Sequence, residues 1–258
     1  MPRLSNNAPQ VAPKQEANHV KTALVTGAAK RIGRAIALNL AQNGWDVALH
    51  VRSDDGTAEA VRNEIVSYGQ RAAIVSADLS NTAETAVLFE NCNDQLGPLT
   101  CLVNNASLFE DDAIGNLKHD LWDAHLAINL RSPVFLAQAL LSQLPDDQAG
   151  NVINIVDQRV WRLTPEFFSY TVSKSALWAA TQTMAMAMAP RIRVNAIGPG
   201  PVLQSIHQTE ADFAAEVASV PLLRGASPEE IAKGVQLILE TPAMTGQMIA
   251  LDGGQHLL

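Results

Sequence analysis

Tyr170 and Lys174 are the residues whose types and spacing first suggest chemistry in this sequence. They lie four residues apart on a predicted helix over 169–189, so their side chains share one face. A tyrosine with a pKa of ~10 exchanges protons poorly at neutral pH, and lowering that pKa to ~7 takes about 4 kcal/mol. One ammonium group within ~4 Å contributes about that much at an effective dielectric constant of ~20. The spacing therefore predicts an acid–base pair in which Lys174 lowers the pKa of Tyr170, although an isolated pair of this kind occurs on many helices.

A second set of candidate residues surrounds a glycine turn near the start of the chain. The segment TALVTGAAKRIGRAIA places Gly27 at the end of a predicted strand and Gly33 at the opening of a helix. A dinucleotide needs such a turn, because free backbone N–H groups and the positive end of a helix face its pyrophosphate. Arg31 occupies the middle position, where a third glycine is common. The segment predicts a dinucleotide-binding turn, and the alternative is an ordinary strand–helix turn that uses glycine for its positive φ.

The end of the next predicted strand indicates which nicotinamide cofactor the turn takes. It reads HVRS over positions 50–53, and no acidic residue comes before Asp54. Folds that bind NAD place an acid near this point, whereas arginine accommodates the 2′-phosphate of NADP. Arg31, Arg52 and the Ser53 hydroxyl therefore favour NADP(H), because two arginines converge there from separate turns. The alternative for Arg52 is a solvated surface cation. The cations predicted to form a local basic pocket at the turn are Lys30, Arg31, Arg34 and Arg52.

Short apolar runs that alternate with helical segments must hold these groups in place. The runs are rich in Val, Ile and Leu without alternation, as in strands that are buried on both faces. The sequence therefore predicts an α/β fold: a single-domain, Rossmann-like, doubly wound parallel sheet of about seven strands with helices on both faces. The predicted strands are 22–26, 46–51, 72–76, 99–104, 152–156, 192–197 and 248–251, and the predicted helices are 31–43, 57–68, 82–96, 119–144, 169–189 and 228–239.

Two segments fall outside this alternation. Residues 1–20 contain three prolines with Asn, Gln and Ser and no helical or strand period. They predict a flexible N-terminal extension before a domain over 21–258. Residues 198–227 form the longest stretch without a predicted strand. Because an insertion after the carboxyl end of a strand lies over the ligand crevice of such a fold, this segment is a predicted substrate lid.

Composition argues against several other classes of protein. The 258 residues carry 18 Lys+Arg against 26 Asp+Glu, a net charge of −8, whereas a nucleic-acid binder needs a basic face. No apolar run reaches the ~20 residues of a membrane-spanning helix, and the first residues lack the apolar stretch of a secretory signal. Cys92 and Cys101 predict buried free thiols, and no metal-ligand spacing is present. We therefore expect a cytoplasmic protein with no nucleic acid, membrane or metal among its partners.

Motifs spread over residues 21–258 resemble those of the short-chain dehydrogenase/reductase family. The matching segments are Thr26-Gly27…Gly33, Asp78-Leu79, Asn104-Asn105-Ala106, Asn129, Tyr170…Lys174, Arg193-Val194-Asn195, Pro199-Gly200 and Asp252-Gly253-Gly254. The resemblance implies that Asp78 and Leu79 border the adenine. It also implies that Lys174 binds the nicotinamide ribose and that Asn129 holds a water in a proton relay. The cofactor-binding residues expected on this basis are Gly27, Lys30, Arg31, Ile32, Gly33, His50, Arg52, Ser53, Asp78, Leu79, Asn105, Ala106, Ser107, Tyr170, Lys174, Pro199 and Gly200.

Departures from the usual family pattern point to one branch of the family. Asp157 stands where a serine usually precedes the tyrosine, Arg31 and Ser107 stand where glycine is usual, and Phe109 follows two residues after Ser107. Together with TGAAKRIG and HVRS, these residues look like the pteridine reductase branch. That likeness implies that Asp157 lies beside Tyr170 and that Phe109 stacks on a pterin against the nicotinamide. The expected catalytic residues are Asp157, Tyr170, Lys174 and Asn129, and the expected substrate-binding residues are Phe109, Asp157 and Tyr170.

An aspartate at this position also has a physical reason of its own. A ketone offers only an acceptor oxygen, so an ionised Asp157 beside it is repulsive or idle. A reduced pterin offers N–H donors to a carboxylate and an imine nitrogen to a protonated carboxyl group. Phe109 offers a flat apolar face to a flat heterocycle. The alternatives are a solvated carboxylate at a strand end and a phenylalanine that only packs within a loop.

The predicted function is NADPH-dependent reduction of a pteridine, such as a dihydropterin, dihydrofolate or a dihydromonapterin-like compound. Hydride passes to the ring while Tyr170 or Asp157 assists protonation. One alternative is an NADP-dependent carbonyl reductase of the ketone or 3-ketoacyl type. Another, from a different class, is a non-catalytic NADP-binding regulator. The family resemblance further implies a homotetramer, in which the apolar faces of the predicted helices 119–144 and 169–189 pack against other subunits.

Overall fold

Seven strands form one parallel sheet in the computed structural model, which describes residues 21–53 and 55–258. The predicted extension over residues 1–20 lies outside the described residues. The strands are β1 (Thr22–Val25), β2 (Asp46–Val51), β3 (Ala72–Ser76), β4 (Cys101–Asn104), β5 (Gly150–Ile155), β6 (Ile192–Pro199) and β7 (Met248–Leu251). Their order across the sheet is β3-β2-β1-β4-β5-β6-β7, with every neighbouring pair parallel. This order confirms the predicted doubly wound, Rossmann-like fold.

Helices connect these strands. They are α1 (Arg31–Gln42), α2 (Thr57–Ser67), α3 (Thr82–Leu96), α4 (His119–Leu126), α5 (Ser132–Gln143), α6 (Phe168–Met188), α7 (Glu210–Ser219) and α8 (Pro228–Glu240). The single helix predicted over 119–144 is wrong in detail, because a π-helical turn over Ala127–Arg131 separates α4 from α5. None of the described helices combines the length and apolar character needed to cross a membrane.

Each face of the sheet is covered by its own group of helices. Successive residues of a strand point to opposite faces, and in β1 Val25 joins one apolar cluster while Leu24 joins another. The first cluster packs strand residues against α1, α2 and α8, and the second packs them against α3, α5 and α6. Both clusters consist of fully or nearly fully buried side chains, so the sheet is a rigid support for the loops at its carboxyl edge.

The predicted lid contains helix α7, which is not among the helices predicted from the sequence. Helix α7 begins after Thr209, whose hydroxyl accepts a hydrogen bond from the backbone N–H of Asp212 at 3.2 Å. The Asp212 carboxylate in turn accepts one from the backbone N–H of Thr209 at 3.0 Å. This reciprocal arrangement is a capping box, which stabilises the first turn of a helix. The segment over 198–227, which is predicted to act as a lid, is therefore partly helical.

The two central strands end side by side where the strand order reverses. Strand β1 pairs with β2 on one side and with β4 on the other. Thr26 follows β1, and its hydroxyl accepts hydrogen bonds from the backbone N–H groups of Asn105 and Ala106, each at 2.9 Å. These bonds join the loops after β1 and β4 at the switch point, where open α/β sheets bind their ligands.

Candidate active site

A cavity of about 460 Å³ opens at the carboxyl edge of the sheet. Its volume lies in the range of small-molecule sites in proteins. Loops that follow β1, β4, β5 and β6 line it together with the lid and helix α6. The predicted site residues in its wall are Arg31, Ile32, Asn105, Ser107, Phe109, Asp157, Tyr170, Lys174, Pro199 and Gly200.

The glycine turn after β1 leaves no room for side chains. Gly27 has a φ of +65°, a conformation that glycine adopts without steric cost. A Cβ added to Gly33 would lie 2.1 Å from the carbonyl oxygen of Gly27. The Asn105 amide also donates a hydrogen bond to the carbonyl oxygen of Thr26 at 2.8 Å, which fixes the turn from the side of β4. Backbone alone therefore forms this cradle, which fits the pyrophosphate of a dinucleotide.

Arg31 joins this turn to the lid. Its φ is +54°, a backbone conformation that favours the glycine expected at this position. Its guanidinium group donates hydrogen bonds to the carbonyl oxygens of Leu203 and Gln204, at 3.1 and 3.0 Å. The side chain therefore links the glycine turn to the segment after β6 in the cavity wall.

The predicted basic pocket is largely charge-compensated in the structure. Arg52 is the most open of the paired cations, with 84% of its side chain exposed, and it lies beside Ser53 at the end of β2. Arg31 contacts lid carbonyls instead of a carboxylate. The ion pairs are Lys30–Asp55 at 3.3 Å, Arg34–Glu64 at 2.5 Å and Arg52–Asp78 at 3.6 Å. A cofactor phosphate at this turn would therefore meet partly neutralised cations.

His50 and Asp78 support the turn in different ways. The His50 ring is buried, and its Nδ1 accepts a hydrogen bond from the Gly27 N–H at 3.2 Å while Nε2 donates to the Ala77 carbonyl at 2.9 Å. Burial lowers the pKa of His50, which keeps the ring neutral. The structure thus places His50 behind the turn, as a positioning residue, and does not bring it into the cavity. Hydrogen bonds from Ser80 lower the pKa of Asp78, so its carboxylate stays ionised.

Asp157, Tyr170 and Lys174 meet at the inner end of the cavity. The Tyr170 hydroxyl donates a hydrogen bond to Oδ2 of Asp157 at 2.8 Å. Oδ1 of Asp157 accepts another from the backbone N–H of Arg159 at 2.8 Å, which fixes the carboxylate. The Lys174 ammonium donates to the carbonyl oxygen of Ile155 at 2.8 Å and lies 5.8 Å from the centre of the Tyr170 ring. The predicted neighbours are therefore together, with the aspartate in direct contact with the tyrosine.

Protonation in this group differs from the sequence-based prediction. Burial and the adjacent Asp157 carboxylate raise the pKa of Tyr170 well above its usual value. The prediction that Lys174 lowers this pKa is wrong for this arrangement, because the ammonium lies farther from the phenol than the carboxylate does. Burial lowers the pKa of Lys174 to about 8. Desolvation also raises the pKa of Asp157, against hydrogen bonds from Arg159 and Tyr170 that lower it.

Asn129 lies in the π-helical turn between α4 and α5 and is fully buried. Its Oδ1 accepts hydrogen bonds from the Leu108 N–H at 2.8 Å and the Ser107 hydroxyl at 3.1 Å. Its Nδ2 donates to the Leu108 carbonyl at 2.9 Å and to the Ser173 hydroxyl at 3.0 Å. Insertions of this kind in helices are frequent at functional sites. Here the turn ties the loop after β4 to helix α6, which carries the tyrosine.

Phe109 belongs to an aromatic group in which Phe109 and Tyr170 were predicted site residues and Phe167 and His207 were not. Its ring stacks on Phe167 with centroids 4.3 Å apart and meets the edge of Tyr170 at 4.7 Å. His207 from the lid packs against Phe109, and a ring nitrogen lies 3.0 Å from the Phe109 carbonyl oxygen. His207 therefore lines the cavity. Phe167 was missed because nothing in the local sequence indicates that it meets Phe109 from across the fold.

A buried polar chain beneath Phe109 was also missed. The Asp112 carboxylate accepts hydrogen bonds from the backbone N–H of Ser169, at 2.9 Å, and from its hydroxyl. The same hydroxyl lies 2.6 Å from Nδ1 of His125, and Nε2 of His125 accepts from the Glu110 N–H at 3.2 Å. These contacts hold the aromatic loop against the start of α6. Because these side chains lie far apart in the sequence and follow no periodic pattern, their contacts could not be predicted.

The described part of the chain offers neither a candidate metal site nor an exposed thiol. It contains no group of three or more His, Cys, Asp or Glu residues placed to hold a metal ion. Cys92 and Cys101 are buried free thiols, as predicted, and burial raises the pKa of each to about 12.

The fold and the cavity define a class of protein: a dinucleotide-binding α/β protein with an acid–base group at the carboxyl edge of its sheet. The sequence profile of the short chain dehydrogenase family matches residues 21–214. The chain belongs to this family of oxidoreductases, which confirms the resemblance seen in the motifs.

The individual proteins that this chain resembles are named for two different kinds of substrate. The crystal structure of FolM alternative dihydrofolate reductase 1 from Brucella suis, in complex with NADP, is 50% identical, with a TM-score of 0.89 over 92% of this chain and 95% of that chain. The Brucella canis protein of the same name, also complexed with NADP, is 49% identical, with a TM-score of 0.90 over 94% and 97%. The 3-oxoacyl-(acyl-carrier-protein) reductase FabG of Staphylococcus epidermidis is 30% identical over 92% of this chain and 99% of that protein. Both crystal complexes contain NADP, in agreement with the predicted cofactor.

Proposed function

We propose that this protein is an NADPH-dependent pteridine reductase that acts on a dihydropterin, a dihydrofolate or a dihydromonapterin-like compound. The observation that carries this proposal is the 2.8 Å hydrogen bond from the Tyr170 hydroxyl to the Asp157 carboxylate. A carboxylate in this place matches the N–H donors of a pteridine and not the lone acceptor oxygen of a ketone. The 50% identity with the Brucella suis alternative dihydrofolate reductase supports the same substrate class.

The chain's own residues fit a dinucleotide along the carboxyl edge of the sheet. The backbone between Gly27 and Gly33 would hold the pyrophosphate, and Arg52 with Ser53 would hold the 2′-phosphate. Asp78 and Leu79 would border the adenine, and Asn105, Ala106 and Ser107 would follow the ribose. The remaining residues assigned to the cofactor are Lys30, Arg31, Ile32, Tyr170, Lys174, Pro199 and Gly200. When bound, NADPH supplies the hydride.

Asp157 and Tyr170 then orient the pteridine and deliver a proton. The ring carbon that accepts the hydride gains two electrons, and the adjacent ring nitrogen takes one proton, so the C=N double bond becomes a single bond. Asp157 accepts hydrogen bonds from the pteridine N–H groups, and Tyr170 or the protonated Asp157 provides the proton, directly or through water. Phe109 packs against the flat ring. Asn129 fixes the position of the loop that carries Phe109 relative to α6.

A carbonyl reductase is the second candidate function. The observation that favours it is the 30% identity with a 3-oxoacyl-(acyl-carrier-protein) reductase over nearly all of both chains. In that reading Asp157 would stand beside a ketone oxygen as a carboxylic acid, which requires it to stay protonated during turnover.

Oxidation of NADPH with a panel of substrates separates the two functions. We expect turnover with dihydrobiopterin or dihydrofolate and little with ketones or 3-ketoacyl thioesters. Asp157→Ser restores the hydroxyl usual in the family, so we expect it to reduce pteridine turnover by about a hundredfold or more while NADPH binding persists. Rapid reduction of ketones with no turnover of any pteridine would sink the proposal. Tight NADPH binding without turnover of either class would favour a non-catalytic regulator.

We also propose a homotetramer, as the family resemblance implies. Phe135 on α5 and Met186 on α6 are large apolar side chains exposed on the outer helices, at 54% and 76%. Light scattering with the purified full chain gives the subunit number directly, and a monomer at micromolar concentration contradicts this proposal.

A further inference from the structure

Arg159 is a cation in the cavity wall that the proposed chemistry does not use. It follows Asp157 by two residues, in a short 3-10 turn over Gln158–Val160. Its backbone N–H fixes the Asp157 carboxylate, while its side chain turns along the cavity towards Phe167. The guanidinium carbon lies 5.5 Å from the centre of the Phe167 ring. The carboxylate of Asp157 and the guanidinium group of Arg159, two residues apart in the sequence, therefore both line the same cavity.

The guanidinium group lacks an ionic partner. Among the described residues, no carboxylate oxygen lies within 4 Å of its nitrogens. Nη1 donates a hydrogen bond to the Thr164 hydroxyl, and the buried Nε has no hydrogen-bond partner in that part of the chain. The positive charge of Arg159 acts to lower the pKa values of Asp157 and Glu166, although burial raises that of Asp157 overall, and neither carboxylate forms an ion pair with Arg159. A half-buried cation without a partner is unfavourable unless a ligand completes its contacts.

Three aromatic rings in contact link the surroundings of Asp157 with those of Arg159. Tyr170, at the Asp157 end, meets the Phe109 ring, and Phe109 stacks on Phe167. Arg159 lies against Phe167, at the other end of this row. Because Asp157, these rings and Arg159 line the same cavity, a ligand whose heterocycle is held by Asp157 would meet the guanidinium group with a substituent that extends along the rings. Guanidinium groups bind carboxylates with two parallel hydrogen bonds, and a planar fork of this kind suits a flexible acidic side chain.

We propose that Arg159 binds an anionic group on the side chain of the substrate. This inference rests on the proposed function and narrows it. The substrate class becomes a dihydropteridine whose side chain ends in a carboxylate, such as dihydrofolate, in preference to one with a neutral side chain. Arg159 is a specificity residue in this scheme, and it has no part in hydride or proton transfer.

The test compares two substrates in two proteins. Dihydrofolate carries carboxylates on its side chain and dihydrobiopterin carries none. We expect Arg159→Met to lower kcat/KM for dihydrofolate about tenfold to a hundredfold more than it lowers kcat/KM for dihydrobiopterin, mainly through KM. Arg159→Lys should recover part of the difference, because it keeps the charge and loses the fork. Arg162→Met is the matched control, since Arg162 lies in the same loop but outside the cavity wall.

Equilibrium binding provides a readout that does not depend on turnover. Calorimetry with the NADP-loaded protein should show that Arg159→Met weakens the binding of folate and has a smaller effect on biopterin. Equal losses for the two ligands, or no loss for either, overturn the role of Arg159. If the wild-type protein reduces neither dihydropteridine, the proposed function fails. Folate binding that still depends on Arg159 would then preserve the anion site on its own.

Discussion

The acid–base group, formed by Asp157, Tyr170 and Lys174, lies at the same edge of the sheet as the glycine turn after β1. One region is buried and the other is exposed to solvent. Tyr170 and Lys174 are 6% and 2% exposed, and both have strongly shifted pKa values. At the turn, Arg52 and Lys30 have 84% and 63% of their side chains in solvent, and each already faces a carboxylate. Burial strengthens the electrostatic interactions within the acid–base group, whereas water screens the charges at the glycine turn.

This difference implies that the two regions respond differently to single substitutions. In the acid–base group one missing oxygen leaves a desolvated partner without its hydrogen bond. At the turn, several exposed groups are proposed to bind the cofactor together, and exposed ion pairs contribute little individually. The expected effects therefore range from a nearly inactive enzyme at one end to a small change in KM at the other.

The largest effect is expected from Tyr170→Phe. It removes the hydroxyl that donates to Asp157 and leaves the ring in place, so we expect kcat to fall by about 10²- to 10⁴-fold with NADPH binding retained. Steady-state kinetics with a dihydropteridine measures this. Tyr68→Phe is a control of the same chemistry, because Tyr68 bonds to Glu64 on the surface. A Tyr170→Phe enzyme within threefold of the wild type contradicts the role of the phenol.

The next effect is a loss of activity at high pH. The pKa of Lys174 is about 8, so its ammonium form is present below that pH and is lost above it. We expect kcat to be level at neutral pH and to fall about tenfold per pH unit above pH 8. The Asp157 carboxylate raises this pKa, so the residual activity of Asp157→Asn should decline from a lower pH. A pH–rate profile that is level to about pH 9.5 rules out Lys174 as the titrating group.

A smaller effect is expected at the turn from Arg52→Ala. Loss of one exposed guanidinium group that binds a phosphate should raise KM for NADPH about tenfold and leave KM for NADH almost unchanged. The ratio of the two KM values is the measurement. If the ratio stays constant, Arg52 is a solvated cation paired with Asp78, and the preference for NADP has another origin.

The smallest effect is expected from Lys30→Ala. Lys30 is exposed and its ammonium lies 3.3 Å from Asp55, so we expect KM for NADPH to change by about threefold or less. Arg62→Ala, which breaks an exposed pair within α2, gives the baseline for a surface cation far from the turn. A tenfold increase for Lys30→Ala would show that the two regions differ less than their exposure indicates.

The sheet was predictable because buried parallel strands have a simple composition. Strands β2, β3 and β7 begin and end at the predicted residues. Helix α7 was missed because its apolar residues are mostly alanines and none of its residues is buried, although Thr209 and Asp212 at capping-box spacing were a usable signal. The π-helical turn around Asn129 was missed because one inserted residue barely disturbs a helical pattern.

The site was predictable to the extent that family motifs fix it. The contact of Asp157 with Tyr170 was implied by those motifs, and the geometry agrees. The pKa of Tyr170 was predicted in the wrong direction, since spacing gives neither the burial of the phenol nor the distance to the ammonium. Phe167 and Arg159 could not be found, because their contacts depend on how a loop folds across the cavity.

Asp157, Phe109 and His207 belong to none of the apolar clusters that hold the described sheet and helices together. Each lies in a segment that follows a different strand. Mutations at these three positions change what the cavity accepts and leave the apolar clusters that support the sheet intact. Substrate preference can therefore evolve, or be engineered, without repacking the core of this protein.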